Sequence, residues 1–493
     1  MNIFCTYNVL WGLARMGVKV SHIGSPLSCS ILEKVITVLH TFLPTQYGDV
    51  IWSLGSIGFK KTDLSPVMSD RLLAVLSRVY GKLHVRAAAY TLWGLSKLGF
   101  QWDEMKMRTR SLAGGREADP LSESVIKYLR SRVNSMKEHE YSVLLYSLGG
   151  LRAQLDGVSD HALPSYVTDK IFHRATRVSS FLTSRSLANS LHGLGKCNVE
   201  WMKLPVDTRD AWEEALLRPS APQVISVTES ASSRGTDSGT DRRGLAGMRT
   251  VEFCQTLYGL GQMRASWKSL KQSTRDAIVR EVLLPGRIDS MDLHGVSSSL
   301  WGLAAMGCPL QEIPAAFINA ARTRLWATAA ISTSTSGDTM DTEGERAFAG
   351  LEGDTESVSS LEELLEDLSI SDAASMERES VARIGHQWKQ LTSVEGAGLS
   401  LAMSLEAMGR LGVVLSADEL REISARLHSI APHMSPDSII SCTSGLSQLG
   451  ALWSDLTAQT RVTWISTLNV PTGEISAIKR QGLAESLGRM KAF

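Results

Sequence analysis

Cysteine is scarce in this chain and never paired. Six cysteines are spread through 493 residues (Cys5, Cys29, Cys197, Cys254, Cys308 and Cys442), with no C-x-x-C among them. That argues against a disulfide framework and against a zinc site, and for reduced thiols inside a cell or organelle. The eleven histidines are scattered without metal-ligand spacing. Apolar runs stay far short of the roughly 18 residues that a membrane span needs. No glycine-rich loop of the P-loop or dinucleotide type is present. Asp156, Asp160 and His161 have the residue types of a catalytic cluster, but they sit in a linker and read as a solvated loop. His386, just before Trp388, has no partner in view. The expectation is a protein that is not an enzyme and takes no cofactor. The N-terminus also lacks the Arg- and Ser-rich composition of a transit peptide and the apolar core of a secretory signal. Met1 opens directly into a segment, Asn2 to Trp11, that already reads as a repeat helix. A solenoid usually carries a polar cap at each end, so the true start is expected upstream.

What the chain has is repetition, the first thing to seek in a sequence too long for one ordinary core. Leu10-Trp11-Gly12-Leu13-Ala14-Arg15-Met16-Gly17 returns as Ile51-Trp52-Ser53-Leu54-Gly55-Ser56-Ile57-Gly58 and as Leu92-Trp93-Gly94-Leu95-Ser96-Lys97-Leu98-Gly99. With Trp11 and its equivalents as position zero, the zeros fall at 11, 52, 93, 146, 192, 258, 301, 403, 444 and 485. Subtraction gives gaps of 41, 41, 53, 46, 66, 43, 102, 41 and 41. The base period is therefore 41, with insertions.

Apolar residues at −5, −1, +2 and +5 share one face of an α-helix, because they are four, three and three apart. Position +1 is Gly or Ser in all ten units. A glycine inside a helix costs about 0.5–1 kcal/mol relative to alanine, so its recurrence implies a neighbouring helix at close range. Glycine at +6 (Gly17, Gly58, Gly99, Gly307, Gly409, Gly450) predicts a left-handed helix cap. Trp102, Trp201, Trp267 and Trp453 stand at +9, and +12 is apolar. A second helix follows, expected at Ser30–Leu43, Asp70–Leu83, Thr208–Leu217, Thr274–Leu284, Pro314–Trp326 and Asp418–Ile430. The fold class expected is all-α: an α-solenoid superhelix of about ten helix–turn–helix repeats, in which stacked pairs bury what one pair cannot.

Two insertions divide the array into repeats at 1–218, 248–330 and 381–493. Residues 219–247 are rich in Ser, Thr, Gly and Arg and read as a flexible insertion. Residues 331–380 are Ser/Thr-rich and carry fourteen Asp/Glu against two Arg, a net of −12. That composition reads as disordered. Since the whole chain is formally neutral, the remainder carries +12. The insertion reads first as a solubilising linker. A sharper version has it competing with a ligand of the basic array, strengthened by phosphorylation at Ser357, Ser359 or Ser360.

Helices such as Asn189-Ser190-Leu191-His192-Gly193-Leu194-Gly195-Lys196 and Tyr90-Thr91-Leu92-Trp93-Gly94-Leu95-Ser96-Lys97 resemble the second-helix signature of octotricopeptide repeats. They are also similar to heptatricopeptide repeats and to the arrays of RAP-domain proteins. Two features depart from those families: the period of 41 is longer, and no RAP domain follows. The resemblance implies an organellar RNA-binding protein of a mitochondrion or plastid, acting in transcript stability, processing, translation or ribosome assembly. Single-stranded RNA would be its partner, with other organellar proteins or the ribosome possible besides, and the chain would be a monomer. A protein-interaction scaffold of the armadillo or HEAT kind is the alternative.

Repeat arrays can read one base per repeat. Positions −3, +1 and +4 form a stripe on the first helix by four-and-three spacing. Position −3 (Asn8, Asp49, Tyr90, Asn189, Gln255, Ser298) is expected to contact base edges, and +4 (Arg15, Lys97, Lys196, Gln262) phosphates. The small +1 residue would let a base or phosphate approach the backbone. Tryptophans at zero and +9 are expected in the core, and His192, at a zero position, is expected to be packed rather than catalytic.

Overall fold

The computed structural model describes residues 3–107, 119–155, 162–219, 243–327, 396–468 and 477–491. Its long elements are all helices of two alternating kinds. The A helices are α1 (Ile3–Arg15), α3 (Tyr47–Ile57), α5 (Val85–Leu98), α7 (Glu138–Gly150), α9 (Ser184–Lys196), α11 (Thr250–Gln262), α13 (Leu293–Ala305), α15 (396–411), α17 (Pro436–Gln448) and α19 (Ala477–Arg489). The B helices are α2 (Ser25–Val38), α4 (Pro66–Tyr80), α6 (Leu121–Arg132), α8 (Ser165–Val178), α10 (Val206–Leu217), α12 (Gln272–Leu283), α14 (Ala315–Ala327), α16 (Ala417–Ile430) and α18 (Ala458–Leu468). Among the described residues, no helix is long and apolar enough to cross a membrane.

Local chemistry sets the helix ends. Ser65, Thr183 and Ser435 each accept the backbone N–H three residues on, at 3.2 Å. Gly58, Gly99 and Gly450 close their A helices at φ +101°, +88° and +83°. The first two B helices begin earlier than the sequence suggested, at Ser25 and Pro66, because Pro26 and Pro66 each fit a first helical turn.

The A helices from α1 to α13 pack each on the next, and the B helices from α2 to α14 do the same. At +1, glycine does the work that its cost demanded. A Cβ on Gly94 would lie 2.4 Å from the Ile51 carbonyl, and one on Gly193 the same distance from that of Leu145. The +3 glycines meet the next helix in turn: a Cβ on Gly149 would come within 2.5 Å of the Gly193 oxygen. Side chains at +2 (Leu54, Leu95, Leu148, Leu194, Leu260) fill the core between the two layers. Each contributes about 1.5–3 kcal/mol.

A backbone hydrogen bond ties neighbouring repeats. The N–H at +9 donates to the carbonyl at +5 of the next A helix: Trp102 to Leu151, Trp201 to Met263 and Trp267 to Met306 at 2.7 Å, and Trp453 to Met490 at 2.8 Å. The +9 indoles of Trp102, Trp201 and Trp267 are fully buried, as expected, whereas Trp453 is only half-buried.

Two expectations fail at α15. The left-handed cap is Gly412, at φ +69°, not Gly409. Gly409 faces Gly445 instead, and a Cβ on Gly445 would meet Leu405 and Glu406, the places taken by −1 and zero elsewhere. Position zero of this unit is therefore Glu406, three residues later than the sequence suggested. Only four residues separate Gly412 from the start of α16, against seven between Gly450 and α18. The short turn carried by the other linkers has been deleted here, so this unit reaches the next in 38 residues. The long insertion does not part the neighbours on either side of it. The Ser297 and Ser404 hydroxyls join α13 to α15 at 2.8 Å, and Arg322 approaches Glu419 at 4.0 Å between α14 and α16. The calls on Asp156, Asp160, His161, His386 and most of both insertions lie outside the described residues.

Candidate nucleic-acid interface

Packing decides which stripe of helix A remains available. Position +1 is filled by the backbone of the preceding A helix, so it offers no approach to a ligand; Gly12, with nothing within 4 Å, is an exception at α1. The expected −3, +1, +4 stripe is therefore wrong in its middle member. The open face instead runs −7, −3, 0, +4, which is also helical four-three-four spacing.

Along this face the zero residues form a row. Trp52 and Trp93 have ring centroids 5.9 Å apart. Tyr146 stacks on His192 at 5.7 Å and 25°. His192 meets Tyr258 at 5.7 Å, and Tyr258 meets Trp301 at 5.0 Å. Ala89, Tyr90, Trp93 and Val143 form a cluster separate from the main core, with Trp52 and Tyr146 packed against it. The zero tryptophans were expected in the core; only Trp93 is buried, and Trp11 is 39% exposed. The core is already filled from +2 and −1, so zero is left to the open side. Aromatic contacts of this geometry add about 0.5–1.5 kcal/mol beyond burial.

Cations flank the row. The Lys97 ammonium stands 4.9 Å over Trp93 and donates to Ser56 Oγ at 3.2 Å. Lys196 lies 5.9 Å over Tyr146, and Arg15 5.3 Å over Trp11. Lys196 reaches solvent, yet the surrounding protein, and then the charge of Arg152, lower its pKa. Burial, followed by the charges of Lys196 and His294, pushes His192 down to about 3. This ring is a neutral member of the row, as expected of a packed histidine.

The −3 residues differ among themselves. Asn8 is exposed, and Asn189 and Gln255 are half-buried. Asp49 accepts from the Tyr7 hydroxyl at 3.1 Å, and burial raises its pKa. Tyr90 is 5% exposed and its hydroxyl pairs with His139 Nε2 at 3.2 Å. Ser298 is 7% exposed. Gln262 is half-buried, and its Oε1 has no hydrogen-bond partner.

Position −7 was missed. It carries Arg86, His139, Arg185 and His294, the second residue of α5, α7, α9 and α13. Their signal was present as a basic or imidazole residue four before −3. The face changes character at α15, where the zero residues become Glu406, Ser444 and Glu485.

Compared with known proteins, the chain matches no protein-family model, and no curated protein is similar to it.

Proposed function

We propose that this chain is an α-solenoid of about ten helical repeats that binds single-stranded RNA along the open face of α1 to α13. The observation that carries the reading is the composition of that face: an aromatic row, in contact from Trp52 to Trp301, bordered by Arg15, Arg86, Lys97, Arg185 and Lys196. Asp49 is the one carboxylate at its −7, −3, 0 and +4 positions from α1 to α13. Cations alternating with π-faces suit a single strand, whose phosphates and exposed bases need both. The ring of Tyr90 on α5 lies within the influence of Arg185 on α9 and of Arg15 on α1, each two A helices away. Half-buried Asn189 and Gln255 and exposed Asn8 are the −3 groups best able to meet base edges. The read length is then about seven repeats rather than ten, one nucleotide each.

The resemblance to octotricopeptide-type arrays adds the setting: a mitochondrion or plastid, and a role in transcript stability, processing, translation or ribosome assembly. The acidic zero positions of α15 and α19 favour a protein contact for the last repeats, so a scaffold role there is the second reading.

The test is fluorescence anisotropy with a single-stranded uridine oligonucleotide across a salt series. Five cations on phosphates give a log–log slope of about −3 to −4. Lys97→Gln with Lys196→Gln should flatten that slope by about 1.4. A salt-independent or undetectable interaction overturns the reading.

A further inference from the structure

Two A helices, α5 and α9, begin with a cation and no acid in the first turn, and α7 between them places a histidine at the same position. Helix starts carry a partial positive charge and favour acidic side chains. Yet the second residue is Arg86 in α5, His139 in α7 and Arg185 in α9. These helices run parallel and in register, so the three side chains share one rim of the open face.

Arg86 and His139 meet at Tyr90, and Arg185 acts on both Tyr90 and His139 by its charge. The Arg86 guanidinium lies 5.3 Å from the Tyr90 ring centroid. The Tyr90 hydroxyl and His139 Nε2 are 3.2 Å apart, and the two rings 6.3 Å. Burial first, and then the charges of Arg185 and Arg86, hold the His139 imidazole below its usual range. Glu138 and Glu140, on the same helix, act weakly the other way. Glu140 is engaged with the Lys137 N–H at 2.8 Å. Beyond Arg185, Arg249 adds a further positive charge, and Glu252, paired with Arg249 at 2.8 Å, acts on Arg185 in the opposite sense.

We propose that Arg86, Tyr90, His139 and Arg185 form a phosphate site at this rim, and that RNA binding there takes up a proton on His139. The proposal rests on the RNA-binding reading and names the backbone contact that anchors it. Two guanidinium groups are suited to a phosphodiester's two free oxygens. When the phosphate draws the Tyr90 O–H, the Tyr90 oxygen is left to accept. Protonated His139 then donates Nε2–H to it, the added proton coming from solvent. The phosphate's negative charge offsets the two arginines that disfavour the imidazolium in the free protein. Binding therefore strengthens as pH falls.

The experiment uses the full chain, a labelled uridine oligonucleotide and constant ionic strength. The wild type should bind about three- to tenfold more tightly at pH 5.5 than at pH 8, as expected for uptake of up to one proton. His139→Gln, which keeps a hydrogen-bonding side chain but cannot titrate in this range, should bind at pH 8 and lose most of that pH dependence. Arg86→Gln with Arg185→Gln should weaken binding at every pH and flatten the salt slope by about 1.4. Lys97→Gln with Lys196→Gln should weaken binding and leave the pH profile intact. Circular dichroism checks that each variant is folded. Excess inorganic phosphate at matched ionic strength should compete poorly. If it displaces the oligonucleotide completely, the site takes small anions and the assignment to RNA is overturned. If the wild type and His139→Gln share one pH profile, the proposal is wrong while RNA binding stands. If the wild type does not bind the oligonucleotide, both fail.

Discussion

Replacing Gly12 and Gly94 by alanine should move stability in opposite directions, although both occupy position +1 of an A helix. Alanine in place of a mid-helix glycine gains about 0.5–1 kcal/mol from backbone entropy alone. At Gly12 a new Cβ meets nothing within 4 Å, so that gain should be kept. At Gly94 the same atom would sit 2.4 Å from the carbonyl carbon and oxygen of Ile51 and 2.5 Å from the amide nitrogen of Trp52. These are backbone atoms of α3 and cannot rotate aside. The two helices would have to separate by about 1 Å to restore ordinary contact distances of about 3.5 Å, disturbing the packing of Leu54 and Leu95. Overpacking of this kind costs about 1–3 kcal/mol. After the helix gain is subtracted, a net loss of about 1–2 kcal/mol is expected. The assay is urea unfolding followed by circular dichroism. A repeat array need not unfold in one step, so hydrogen exchange on α3 and α5 should locate the loss. A stabilised Gly94→Ala, or the same sign at both sites, would refute the argument that +1 glycine exists for helix contact.

Other outcomes follow from the same geometry. His192 has a folded pKa of about 3, well below the ordinary histidine value of 6.5, so the unfolded chain binds the extra proton and stability falls as pH drops from 6.5 towards 3. His192→Phe keeps an aromatic ring in the row, and its urea midpoint should decline less between pH 6.5 and 4; parallel declines would contradict this. Glu281 and Arg287 form a buried pair at 2.6 Å, with Arg287 also donating to the Met248 carbonyl at 3.0 Å. Glu281→Ala strands that guanidinium and should cost about 3–5 kcal/mol in urea unfolding, and a near-neutral change would mean the pair is not enclosed. Cys5 and Cys29 are exposed, whereas Cys197 and Cys254 are buried, and burial pushes Cys254 up to about 11. Iodoacetamide at neutral pH should label the first two in the native protein and the other two only after denaturation.

Much of the fold could be read from one strand of text, because its determinants are local and recur. Spacings of three and four name the helices, the +6 glycine names most of their ends, and a costly +1 glycine announces a close neighbour. The +9 tryptophan signals an anchor in four of the linkers. These readings need a single unit and its copies. They failed at α15, where a three-residue deletion left Gly409 in a place that resembled a cap. Only the neighbouring Gly445 shows that Gly409 is a contact and Gly412 the cap.

The open face was decided by tertiary structure alone. An A helix is enclosed on three sides, by the A helix before it, the one after it and the B layer. Small or apolar residues therefore occupy +1, +2 and +3, and the periodicity of one helix does not say which remaining row is turned outward. Tryptophan at zero looks like core to any hydrophobic pattern, yet it lies in a row that neighbouring rings half cover. The gathering of Arg86, His139 and Arg185 depends on parallel helices in register, a relation between segments about fifty residues apart in the chain. Local chemistry selects the helices; the order in which they stack selects the surface.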